Sequence, residues 1–177
     1  ATGASITGLN FNAHQIARGE QMVRKAGLDG TCGFLLANFM DVPLEDSHFD
    51  AIYSFEAICH APDTGLLFKD LYRLLKPGGE IAAVDWCLTE RFDEDDPKHR
   101  DIRDRIEYSN ATPDLLKTQA QLDTMKGAGF EILSATDQAA EGDPSTPWYM
   151  ALQGRDVSLA SLARIPAGRS FTTGLTG

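Results

Sequence analysis

With 177 residues the chain has room for one ordinary domain, and its net charge of −10 argues against a nucleic-acid groove, which needs clustered Lys and Arg. Apolar residues make up 42% and charged residues 24%, ordinary globular usage that argues against disorder. No stretch approaches the ~18 apolar residues of a spanning helix, and no basic-then-apolar leader opens the given sequence.

Strand-like and helix-like segments alternate from the first residues. Ala4–Leu9 reads as a strand, followed by Asn12 as an N-cap with Gln15 completing a capping box. Ile16, Val23 and Ala26 share one helical face, and Gly27 is a natural stop. Cys32–Ala37 is a short apolar run suited to a buried strand, and Phe49–Phe55 reads as another. Asp63 or Thr64 can cap a helix whose Phe68, Leu71, Tyr72 and Leu75 recur at helical spacing, and Pro77-Gly78-Gly79 ends it. Glu80–Trp86 is the next strand. The second half opens on an acidic loop, Glu90 to Asp96, and Asp96-Pro97 starts a helix of mixed charge with a thin stripe of Ile102 and Ile106. That helix is either a solvated face or a cap over a site. Thr118 and Gln121 form a second capping box, with Leu122 and Met125 inward and Gly129 as the stop. Phe130–Leu133 and Trp148–Leu152 read as the last strands. Cys32, Cys59 and Cys87 form no CxxC pair, which points to neither a disulfide framework nor a zinc site and suits a reducing compartment.

Apolar strands alternating with amphipathic helices imply an α/β fold, a mostly parallel sheet with helices on both faces. Ligands of such sheets sit beyond the carboxyl ends of the strands. The residues to watch are therefore Asn10, Asn38-Phe39, Glu56 to Pro62, and Asp85 to Glu90.

Phe49-Asp50-Ala51-Ile52, followed some twenty residues on by Leu74-Leu75-Lys76-Pro77-Gly78-Gly79, resembles the Rossmann-like methyltransferases that use S-adenosylmethionine. The segments Gly8–Asn12, Phe39–Pro43, Glu56-Ala57-Ile58-Cys59-His60-Ala61-Pro62, Asp85–Glu90 and Pro147-Trp148-Tyr149 together look like the sterol 24-C-methyltransferases, from Ala1 to about Leu152. The resemblance implies a partial methyltransferase domain over 1–152, with a substrate cap near 90–117, and the start of a further sterol-methyltransferase region over 153–177. It implies that the family's first strand, its glycine-rich loop and an aromatic, acidic segment would lie before Ala1. At Val84-Asp85-Trp86 the family's Tyr-Glu-Trp is altered, and the carboxylate is one methylene shorter. In this fold the first strand lies between the second and fourth, so without it two edges lack a ladder partner, and the chain alone is expected to be unstable or aggregation-prone.

The resemblance further implies methyl transfer from S-adenosyl-L-methionine to the side-chain double bond of a sterol, with no metal. Asn10 would bond the cofactor ribose, although it can equally be a turn residue before Asn12. Asn38 would accept from the adenine amino group. Phe39 would pack on the ring, or lie in the core. Glu56 would favour the sulfonium electrostatically, and Glu56, His60 and Asp85 are the candidate bases for the proton that must finally leave. Trp86, Cys59, Trp148 and Tyr149 would line the sterol slot; a thiol nucleophile at Cys59 is the weaker reading. The implied partners are a sterol and, through it, a membrane surface, on the cytoplasmic face of the endoplasmic reticulum or a lipid droplet. Oligomeric state is left open. The alternatives are a methyltransferase for another prenyl lipid, such as a quinone or tocopherol, and a catalytically silent lipid-binding fragment. A dinucleotide dehydrogenase is disfavoured by the pairing of the Phe49–Ile52 and Leu74–Gly79 motifs.

Overall fold

The computed structural model describes residues 3–142. The chain divides into two compact units, Ala1–Ile132 and Leu133–Gly177. In the second, the described residues hold one helical turn, Gln138–Glu141, capped by the Asp137 side chain.

The first unit opens with β1 (Ile6–Asn10), α1 (Ala13–Lys25) and β2 (Cys32–Leu36), a parallel crossover in which Ile6 faces Cys32 and Asn10 faces Leu36. Asn12 caps α1 as expected, its Oδ1 accepting from the His14 and Gln15 amides. The capping box itself does not close. Gln15 Oε1 turns instead to the Asn10 amide nitrogen, 2.7 Å away. At the far end Gly27 adopts φ +68, and the Leu28 and Gly27 amides return to the Val23 and Arg24 carbonyls. This left-handed closure is the one a glycine permits without strain. Inside α1, Gly19 leaves room for the Phe34 ring of β2, which a Cβ there would meet at 2.7 Å.

The second half-sheet pairs β3 (Phe49–Phe55) with β4 (Leu75–Val84), again in parallel, through α2 (Thr64–Leu74). Phe49 faces Leu75 but Ala51 faces Glu80, so Lys76 to Gly79 are looped out and regular pairing resumes at Glu80. Asp63 is the N-cap of α2, bonding the Leu66 amide at 2.9 Å. Leu67, Phe68 and Leu74 of α2 are buried and Leu71 packs against the cluster that holds Leu67 and Phe68, whereas Tyr72 is 49% exposed. The core stripe is therefore centred one position away from the Phe68–Tyr72 spacing, and Tyr72 meets Phe130 edge-on from its rim.

Ile58, Ala61, Leu67 and Phe68 form the core cluster, with Phe39, Met40, Met125, Ala128 and Phe130 packed around it. The loop after β2 is fastened to α2 by a group that the sequence pattern did not single out. Arg73 donates to the Val42 and Leu44 carbonyls and to Asp46 and Asp70, and Asp70 in turn accepts from the Val42 amide.

Two expectations fail locally. The first residue of α4 (Thr118–Gly127) is Thr118 itself, not an N-cap, and its hydroxyl reaches the Leu88 carbonyl at 3.3 Å. The helix's open Gln119 amide is met instead by the Glu90 carboxylate at 3.1 Å. Gly129, at φ +113, does close α4, and the Phe130 amide returns to the Met125 carbonyl. Phe130–Leu133, however, forms no ladder among the described residues. Its expected partner, Trp148–Leu152, lies outside them, and a strand is defined by the partner that takes its hydrogen bonds.

The sheet is not continuous. Among the described residues β1 pairs with β2, β3 pairs with β4, and no ladder joins the two pairs. The face of β3 that carries Tyr53 and Phe55 is bare, with the two residues 61% and 69% exposed.

Candidate active site

The parallel strands aim all four watched segments at one edge of their half-sheets, and β3 and β4 build the site. Chain direction reverses sharply after Phe55. Glu56 donates its amide to the Val84 carbonyl at 2.8 Å and then takes φ +49, a left-handed conformation that costs a non-glycine residue roughly 1 kcal/mol. A single 3₁₀ turn, Ile58–His60, follows. Buried Ile58 drives its side chain into the core, which anchors the turn from below.

From above, the turn is held by Asp85. Its Oδ2 accepts from the Ile58 amide at 2.7 Å and the Cys59 amide at 3.2 Å, and its Oδ1 from the Trp86 amide at 2.8 Å. Burial and the neighbouring Asp85 carboxylate push the Cys59 thiol from 9.0 up to about 12. It is protonated at neutral pH and is no nucleophile.

His60 points its Nδ1 at the Ala111 carbonyl, 3.3 Å away. A carbonyl only accepts, so Nδ1 carries the proton and Nε2 of the neutral ring keeps its lone pair. Ala111 is itself set by the end of α3 (Pro97–Asn110), where it caps the helix at φ 51, ψ 40. The last turn of α3 thus fixes the tautomer of a residue 51 positions earlier in the chain.

Glu56, Cys59, His60 and Trp86 line one open cleft, together with Ile106, Asn110, Thr112 and Leu115. Four residues named from sequence therefore meet. The opposite wall falls within the expected cap near 90–117 but had little residue-level signal: Ile106 belonged to the thin apolar stripe of α3, whereas Asn110, the last residue of that helix, and Thr112 and Leu115 beyond it had no motif around them. The Thr112 hydroxyl is buried in this wall with no hydrogen-bond partner among the described residues. Ile102, the other half of the stripe, is 54% exposed and takes no part. α3 is thus solvated along its first turns and walls the cleft with its last. The acidic loop before it is folded rather than free, because Arg103 holds Glu94 with both oxygens at 2.9 Å and lies over the Phe92 ring.

Asn10 and Asn38-Phe39 stand at the ends of β1 and β2, apart from this cleft lining. The Asn10 side-chain amide braces its own turn, with Oδ1 accepting from the Asn12 amide at 2.8 Å and Nδ2 donating to Gln15, which uses one of its two lone pairs and one of its two N–H groups. Asn38 Oδ1 accepts from the Met40 amide at 3.0 Å, which uses one of its two lone pairs. Phe39 packs against the core cluster. Trp148 and Tyr149 lie outside the described residues. Among the described residues no group of three or more His, Cys, Asp or Glu could hold a metal ion, and no helix is long and apolar enough to cross a membrane.

Residues 1–83 match the family described as Methyltransferase domain. Cycloartenol-C-24-methyltransferase 1 of Oryza sativa subsp. japonica is 44% identical over 96% of this chain and 48% of its own length. Sterol 24-C-methyltransferase ERG6 of Saccharomyces cerevisiae is 34% identical over 98% of this chain and 47% of its own. The solved geranyl diphosphate C-methyltransferase of Streptomyces coelicolor A3(2) superposes with a TM-score of 0.74 at 19% identity, over 95% of this chain and 60% of that one, and this likeness establishes the fold, a Rossmann-like methyltransferase sheet flanked by helices. The chain spans about half the length of the curated relatives it matches, and over that span it is a homologue of the sterol 24-C-methyltransferases.

Proposed function

We propose that this chain carries the acceptor half of a sterol 24-C-methyltransferase, which moves a methyl group from S-adenosylmethionine to the side-chain double bond of a sterol. The observation that carries the reading is the convergence of Glu56, His60 and Trp86 on one cleft at the carboxyl ends of parallel strands, in a chain 44% identical to a cycloartenol methyltransferase.

The residues present fit the cofactor in kind. Asn10 and Asn38 offer amide groups at adjacent strand ends, suited to the ribose and the adenine, and Asn10 keeps one N–H and one lone pair beyond its internal bonds. When bound, S-adenosylmethionine supplies an electrophilic methyl group on a sulfonium. Glu56 places a carboxylate where positive charge is carried and then developed, and such preorganised charge is commonly the largest catalytic term. The Trp86 face can stabilise a cation on the sterol side chain by about 0.5–2 kcal/mol. His60, with its Nε2 lone pair fixed by the Ala111 carbonyl, is the group best prepared to take the departing proton. Trp148 and Tyr149 are proposed to close the sterol slot. The acceptor's apolar body would bring the protein to a membrane surface, at the endoplasmic reticulum or a lipid droplet.

The test is calorimetric titration of S-adenosylmethionine into the chain, and into the chain extended at its N-terminus with whatever segment precedes the matched span in the rice relative, followed by product analysis with cycloartenol and with a prenyl quinone. Cofactor binding and methylated sterol from the completed protein are expected. Methylated quinone without methylated sterol would move the reading to another prenyl lipid. No binding by either form would end it.

A further inference from the structure

Asp85 had been a candidate base, and its surroundings give it different work. A carboxylate offers about four lone-pair positions. Three here are directed at backbone amides, two of them at the start of the Ile58–His60 turn. Those amides begin a 3₁₀ turn and have no partner within it. Without Asp85 the Ile58 and Cys59 amides would stand unsatisfied beside a buried side chain, and the turn that follows left-handed Glu56 would keep only the Glu56–Val84 bond and the Ile58 packing as restraints near its start. Asp85 is also absent from the cleft lining, whereas Glu56, Cys59 and His60 are in it.

We infer that Asp85 is the positioning residue of the site. Its carboxylate clamps the turn that carries Glu56 and His60, and the proton leaves to another group. The shortened acid suits this task, since the same carboxylate that reaches across to the turn also accepts from the next amide along its own chain, that of Trp86. The inference rests on the proposed function only where activity is the readout.

Two measurements test it, both on the N-terminally completed protein. The first is amide hydrogen exchange resolved at Ile58 and Cys59, with the α2 amides as internal control. Asp85→Ala is expected to raise exchange at these two amides by about tenfold or more while the α2 amides hold, and Asp85→Asn, which keeps an acceptor oxygen, to stay within about threefold of the parent. The second is the pH profile of methyl transfer. Asp85→Asn is expected to lower kcat by about tenfold, with both limbs of the profile unmoved. Loss of the basic limb, together with a fall of about a thousandfold in kcat, would mark Asp85 as the proton acceptor and overturn the inference. Unchanged exchange at Ile58 and Cys59 in Asp85→Ala would overturn it as well. If Asp85→Ala does not fold, Asp85→Asn decides through the profile. A parent protein that methylates no sterol would refute the proposed function, and the exchange result would still decide the clamp.

Discussion

The bare face of β3 carries a prediction whose size follows from the structure. Tyr53 and Phe55 are 61% and 69% exposed, with their ring centroids 5.9 Å apart. An aromatic side chain presents roughly 200 Å², so each leaves about 120–140 Å² of ring in water, and burial at about 25 cal/mol per Å² is worth about 3 kcal/mol for each. Extending the chain with the segment that precedes the matched span in the rice relative should cover this face, fill the ladder between β1 and β3, and stabilise the fold by at least that amount. Phe55→Ser then separates covering from mere lengthening. It should cost about 3 kcal/mol in the completed protein and close to nothing in the 177-residue chain, where it should instead reduce self-association. Urea unfolding monitored by Trp fluorescence, with sedimentation velocity for the associated species, reads both quantities. An equal cost in the two forms would refute the reasoning. So would cooperative, reversible, high-temperature melting of the monomeric 177-residue chain.

The other predictions concern the site and its supports. Glu56→Gln should lower kcat in the completed protein by roughly a hundredfold while sterol affinity changes far less, because the lost interaction belongs to the charged species; an unchanged kcat would remove Glu56 from the chemistry. Cys59 should label with iodoacetamide far more slowly than Cys32 at pH 9, since its thiol holds its proton until about 12, and urea should erase the difference. The same shift has a sign for stability. A thiol that titrates higher in the folded state than in the unfolded one contributes fully below about pH 9 and loses that contribution as pH rises towards 12. Phe68→Ala, at a side chain 1% exposed, should cost about 3–5 kcal/mol by denaturant unfolding, and a cost below about 1 would mean that the core beneath the cleft is not closed. Arg73→Lys keeps the charge but loses the planar fork, so the Val42 and Leu44 carbonyls should become more mobile and the melting temperature should fall.

Much of the first unit was legible because its signals are local. Asn12 and Asp63 cap their helices with their own side chains, and Gly27 and Gly129 stop theirs by accepting positive φ, all within a few residues of the atoms concerned; the apolar runs at Cys32 and Phe49 form parallel strands, but neither strand holds a buried residue. The motif around Glu56 and His60 could be read as chemistry because its residue types are unusual together at a strand end. Where sequence reasoning went astray, the deciding partner was distant along the chain. The Thr118 capping box lost to Glu90, nearly thirty positions away. The strand expected at Phe130 has no ladder partner among the described residues. Asp85 could be named as a carboxylate near the site but not as a clamp, because its role depends on amides 26 and 27 positions earlier. The second wall of the cleft was legible only as a cap near 90–117 with Ile106 in its apolar stripe; Asn110, Thr112 and Leu115 carried no pattern, since their place is set by where α3 ends and by an alanine carbonyl that meets His60 across the fold. Spacing along a chain records what a residue can do, and only the tertiary approach of backbone donors and acceptors decides which of those capacities is already spent.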